Sequence, residues 1–91
     1  MIKELNGYKD KERIGDIMTN FDHSIEKDAE TRLKNENIYG DYPAWNFHGK
    51  VWFEQDEFHC EVWQYGNIKE IISANTLEEL MNQVSNQYGQ E

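Results

Sequence analysis

Cysteine is almost missing from this 91-residue chain, which has Cys60 alone. One thiol can form no internal disulfide and no structural zinc site, and it suits a reducing compartment, so a cytoplasmic protein is expected. Proline is equally scarce, with Pro43 the only one. Long apolar runs are lacking too. No stretch nears the roughly 20 residues of a membrane-spanning helix, and Met1 to Gly7 hold no apolar signal-type core. The last absence is of cations, and it is lopsided. Residues 1–41 carry seven Lys/Arg against ten Asp/Glu, whereas residues 42–91 carry only Lys50 and Lys69 against eight acids. The net charge is −9. Proteins bind phosphate backbones by letting Lys and Arg release counterions, so direct nucleic-acid binding is excluded and an anionic membrane disfavoured.

What the chain does have is aromatic residues. They make up 13% of it, although the mean hydropathy is −0.96, and they fall in patterned segments rather than low-complexity sequence. The length allows one domain, 1–91, with a modest core. After a lead-in at 1–9, the spacing of Ile14, Ile17, Met18, Phe21, Ile25, Ala29 and Leu33 predicts an amphipathic helix over 10–37, with Asp10 as its N-cap. Ile38 to Pro43 is expected to end that helix and turn the chain.

Strict alternation follows. Trp45, Phe47, Val51 and Phe53 point one way and Asn46, His48, Lys50, Trp52 and Glu54 the other. Phe58, Cys60 and Val62 alternate with His59, Glu61, Trp63 and Tyr65. That pattern predicts a β-hairpin turning at Gln55-Asp56-Glu57, with Gln55 opposite Phe58. A Gly66-Asn67 turn leads to a third strand, Ile68 to Ala74, of ambiguous register because Ile71 and Ile72 are adjacent. Leu77, Leu80, Met81, Val84 and Tyr88 form one stripe, opened by a Thr76–Glu79 capping box, and predict a helix over 76–88. The expected fold is α+β, in the order α-β-β-β-α, with a three-stranded antiparallel sheet (44–74) packed against helices.

Within that frame, Tyr42-Pro43-Ala44 before a strand, a hairpin, and Asn75-Thr76-Leu77-Glu78-Glu79-Leu80 opening a helix resemble the N-terminal domain of HicB-type antitoxins over residues 42–84. The resemblance implies a toxin-neutralising module that binds a small basic RNase. In general character, a small acidic α-β-β-β-α chain is also similar to phage-encoded inhibitors, including some anti-CRISPR proteins that occupy the DNA groove of a nuclease. The order of elements matches the double-stranded-RNA-binding domain as well. Where such domains open the last helix with lysines, this one opens with Glu78-Glu79, which would repel phosphate.

Chemistry is sparse. His59 and Cys60 adjoin, but alternation sends them to opposite faces and puts Cys60 in the core. His23, His48 and His59 lack metal-ligand spacing. No catalytic residue, metal or cofactor is expected. The candidate partner-binding residues are the aromatics Trp52, Trp63 and Tyr65 as anchors, with Glu54, Asp56, Glu57, Glu61 and Glu70 as phosphate mimics or steering charges. Asp22, Glu26, Asp28 and Glu30 offer further acids on the first helix. Two arrangements of the outer sheet face stay open at this point: an exposed aromatic patch, or burial beneath that helix. The leading expectation is an inhibitor of a basic nucleic-acid-handling protein. The alternatives are the toxin-neutralising module and a dimerising accessory protein.

Overall fold

In the computed structural model, which describes residues 8–17, 25, 28–44 and 46–88, the elements are β1 (Glu12–Asp16), α1 (Ala29–Asn35), β2 (Ile38–Pro43), β3 (His48–Glu54), β4 (Glu57–Gln64), β5 (Asn67–Ala74) and α2 (Leu77–Tyr88). The strands form one mixed sheet in chain order, β1-β2-β3-β4-β5. β1 pairs with β2 in parallel and the remaining pairs are antiparallel. Parallel neighbours need a crossover, and α1 lies within it.

Two-residue turns set the hairpin registers. Gln55 and Asp56 have φ of 55° and 66°, and Tyr65 and Gly66 have 54° and 81°. Consecutive positive φ values give turns whose twist matches antiparallel strands. Glu54 therefore pairs with Glu57, Phe53 with Phe58, Trp52 with His59, Lys50 with Glu61 and His48 with Trp63. The expected pairing of Gln55 with Phe58 is corrected by two residues, because Gln55 sits inside the turn. The second turn is Tyr65-Gly66 rather than Gly66-Asn67.

The helix expected over 10–37 is largely replaced. Glu12–Asp16 is a strand, Ile38–Pro43 is a second strand rather than a stop, and the described helix is limited to Ala29–Asn35. Asp10 lies in a turn closed by a hydrogen bond from the Lys11 N–H to the Tyr8 carbonyl, so it is no N-cap. Met18, Phe21, Asp22, His23 and Glu26 lie outside the described residues, as do Trp45 and most of the lead-in at 1–9. The three-stranded antiparallel sheet is thus the β3-β4-β5 part of a five-stranded mixed one. The first expected strand begins at His48, four residues later than the alternation from Ala44 suggested.

The core occupies one face of the sheet. Val51, Phe58, Cys60, Val62, Ile72 and Ala74 meet Ala29 and Leu33 of α1 and Leu77, Leu80, Met81 and Val84 of α2 in a single buried cluster. Burying side chains of this size stabilises by about 1.5–3 kcal/mol each. Ile72 joins the core opposite Cys60, and Ile71 faces the other way opposite Glu61, which settles the register of the third antiparallel strand. Thr76 Oγ1 accepts from the Glu79 N–H at 3.1 Å, as the capping box predicts. A second acid shares that helix start: Glu30 of α1 accepts from the Leu77 N–H at 3.2 Å, where an anion suits the helix dipole. Tyr42 and Ser85 hydroxyls, 2.8 Å apart, tie β2 to α2.

Candidate protein-binding surface

The sheet face away from the helices divides into a closed half and an open end. Over β2 and β3, Trp52 is 1% exposed although it lies outside the helix-side core. Among the described residues its cover comes from Tyr8 and His59 and not from a helix. The Tyr8 ring lies 5.5 Å from Trp52 and 5.1 Å from Tyr39, and His59 stacks on Trp52 from β4 at 5.5 Å. The indole N–H donates to Glu54 Oε1 at 3.0 Å. Lys50 Nζ stands 5.5 Å over the Tyr8 ring and 5.8 Å from the Tyr39 ring, within cation–π reach.

Two carboxylates are buried beside this cluster. Asp41 of β2, 1% exposed, has Arg13 Nη2 at 2.5 Å, His48 Nε2 at 3.3 Å and Lys50 Nζ at 3.9 Å. Glu61 of β4 is fully buried, opposite Lys50, and accepts from the Trp63 indole N–H at 2.7 Å. Burying a charge is costly unless it is paired; both cations, Arg13 and Lys50, pair with Asp41, whereas Glu61 has the Trp63 indole N–H on Oε1 and, among the described residues, no hydrogen-bond partner on Oε2. Desolvation, and then the Glu61 carboxylate, push the Tyr8 hydroxyl up to about 12.

Burial acts on two other groups in the same direction. Desolvation, followed by the Glu61 charge, raises the Cys60 thiol to about 12. Desolvation, then the hydrogen bond it donates to Glu70, raises the Tyr88 hydroxyl to about 12. A folded pKa above the unfolded one means stability that is whole below the unfolded value and lost as pH climbs toward the folded one. The unfolded values are 9.0 for cysteine and 10.0 for tyrosine. Unfolding midpoints should therefore fall between about pH 9 and 12, and tyrosinate absorbance should rise later in the folded chain than in urea. Folded chain and urea-unfolded chain titrating together would refute this.

The eight candidate residues are not brought together. Glu61 and Trp52 are buried where no partner reaches them. Glu70 opposes Val62, on the helix side of the sheet, and is held there by the Tyr88 hydroxyl. Glu54, Asp56 and Glu57 are exposed at one end of the β3-β4 hairpin. Trp63, half-buried, and Tyr65, 91% exposed, lie at the other end, about 20 Å away at strand rise. On the first helix, Asp28 is exposed and Glu30 is engaged with α2.

At the Trp63 end the surface opens into a groove of about 730 Å³ between the β2-β3 loop (Ala44, Asn46, Phe47), His48 and Lys50 of β3, and the run from Trp63 to Gly66. Phe47 closes its helix-side wall, edge-on to Tyr42 at 5.1 Å. His48 stands beside a carboxylate, no serine, threonine or cysteine lines the groove among the described residues, and Cys60 faces the opposite side of the sheet. Among the described residues no cluster of His, Cys, Asp or Glu has the grouping to hold a metal ion, and no helix is long and apolar enough to cross a membrane. Sequence reasoning missed Asp41, Lys50, His48 and Phe47. Period-2 alternation of Tyr39 and Asp41 against Ile38 and Tyr42 was the available signal. Comparison with known proteins finds no matching family model, curated protein or solved structure.

Proposed function

We propose that the chain is a small acidic inhibitor or regulator, of the kind carried by phages and mobile elements, that offers carboxylates to a basic groove on a nucleic-acid-handling protein. The observation that carries this reading is at the β3-β4 turn. Glu54 and Glu57 are direct cross-strand partners, Asp56 lies between them at positive φ, and all three are exposed. Like charges directly opposite each other destabilise a hairpin, and none of the ion pairs among the described residues reaches this tip to offset them. A cationic partner relieves that repulsion, so part of its binding energy comes from strain already present. On a chain of charge −9, the tip also steers cationic proteins inward.

The test begins with isolating the partner from host cells and measuring its affinity. Raising salt from 50 to 200 mM should weaken binding at least tenfold, and Asp56→Asn with Glu57→Gln should weaken it by about the same factor, roughly 1.4 kcal/mol. The same pair of changes should leave the free chain as stable or a few tenths of a kcal/mol more so. Affinity indifferent to salt would sink the proposal. Direct capture of DNA or RNA by the purified chain would do the same.

A second reading, toxin neutralisation, draws on the β-β-β-α run from His48 to Tyr88. It shares the demand for a basic partner. A small basic RNase encoded next to this chain is expected for that reading alone.

A further inference from the structure

His59 stands beside the acidic tip. It follows Glu57 by two residues on β4, so both side chains point to the outer face of the sheet. Its Nε2 lies 3.0 Å from the Glu54 carbonyl oxygen and its Nδ1 lies 2.6 Å from Ser73 Oγ of β5. A carbonyl only accepts, so Nε2 carries a hydrogen. Nδ1 has two options. In the neutral ring it accepts from the Ser73 hydroxyl, and in the charged ring it donates to the same oxygen. Both protonation states therefore keep both hydrogen bonds, and the Trp52 ring, 5.5 Å away, offers the charged one a π face. A proton can come and go here without breaking the structure that holds the tip in place.

The groups that face His59 decide what its charge does. On β3 they are Trp52 and Glu54, whose Oε1 accepts from the Trp52 indole. Asp56 stands in the turn, Glu57 and Glu61 lie to either side of His59 along β4, and Ser73 lies opposite on β5. Tyr8 packs on Trp52. Among the described residues of the β3-β4 hairpin the other bases are His48 and Lys50, and both are turned on Asp41. A proton on His59 is thus the charge within the hairpin that offsets Glu54, Asp56 and Glu57. We propose that His59 is a proton switch for the tip. With the ring neutral, uncompensated carboxylates meet a cationic partner; with the ring charged, the imidazolium competes with that partner for them and loosens its hold. The switch rests on the inhibitor reading and adds regulation to it: a contact that is strong near neutral pH and weak in an acidic medium.

Titrating the isotope-labelled full chain with a hexa-arginine peptide, and following the backbone amides of Gln55, Asp56 and Glu57 by NMR, tests it. Binding at the tip should weaken roughly three- to tenfold between about pH 7.5 and about pH 5.5, because imidazole is the ordinary side chain whose charge changes over that interval. His59→Gln should remove most of this dependence, since an amide still donates to the Glu54 carbonyl but takes up no proton. His48→Gln, at the Asp41 end of β3, should leave it as it is. Coupling is reciprocal, so saturating peptide should move the titration of the His59 ring protons in the wild-type chain to lower pH, by the logarithm of the same ratio. That readout needs no variant. A tip that binds the peptide equally at both pH values would overturn the switch and leave the inhibitor reading standing, and so would a pH dependence that His59→Gln does not change. Tip amides unmoved by the peptide at the higher pH would remove the inhibitor reading and the switch together.

Discussion

Replacing Trp52 by alanine is expected to cost about 3–5 kcal/mol, the range for emptying a buried aromatic site. A domain of this size has about 5–15 kcal/mol in total, so the variant should lie close to unfolding. The expectation rests on the closed half of the outer sheet face. Trp52 is 1% exposed between the Tyr8 and His59 rings, with its indole N–H on Glu54. With a urea dependence of about 1 kcal/mol per molar, the midpoint should drop by several molar. Trp52→Phe keeps a ring and loses one hydrogen bond and some contact, so it should cost clearly less than the alanine change. Tyr8→Ala should expose the same ring, seen as faster quenching of tryptophan fluorescence by iodide. A loss within about 0.5 kcal/mol for Trp52→Ala is what an exposed residue gives. That result would return Trp52 to the list of partner anchors and undo the division of this face.

The case of Trp52 shows which part of the site the sequence could reveal. Alternation correctly sends Trp52, Trp63 and His59 to one side and Val51, Cys60 and Phe58 to the other, because side-chain direction in a strand depends only on parity. Exposure does not follow from parity. It depends on what crosses the face, and here that is Tyr8, 44 residues away in the chain and in a segment with no periodicity of its own. Glu61 went astray for the same reason. Sequence places it among the outward acids, whereas it is fully buried opposite Lys50, with the Trp63 indole N–H on one of its oxygens. The exposure of Asp56 was legible because turns protrude whatever the topology, whereas Tyr65 was expected in a strand and is exposed because the turn begins one residue earlier.

The helix α2 and the three antiparallel strands were readable for local reasons: a capping residue, an apolar stripe, and pairs of turn residues. The N-terminal half was not. Ile14 and Ile17 are three apart, which fits a helix, but a bend at Gly15, with φ 104°, lets the same two residues serve a strand and its exit. Gly40 hid β2 in a related way. Ile38, Gly40 and Tyr42 all face the core, and a missing side chain in the middle of that row reads as a turn.

That glycine carries the second large effect. A Cβ built on Gly40 would come within 2.1 Å of Ile17 Cγ2, in a fully buried position and with the Gly15 carbonyl oxygen 3.3 Å away. Ile17 is there because the parallel pairing of β1 with β2 brings its N–H to the Asp41 carbonyl at 2.9 Å. Gly40→Ala is therefore expected to cost about 3 kcal/mol, the upper end for overpacking a filled core. Elsewhere in a strand the same change is neutral or mildly stabilising, since alanine restricts the unfolded chain. Ile17→Ala removes the obstacle at its own cost of about 2–5 kcal/mol. Adding Gly40→Ala to that background should then cost little, so the two changes couple by more than 1 kcal/mol in a double-mutant cycle read from urea midpoints. The coupling isolates one contact between a residue read as helix and a residue read as turn. Strictly additive losses would separate Ile17 from Gly40, and with that contact would go the parallel strand that makes this sheet five-stranded instead of three.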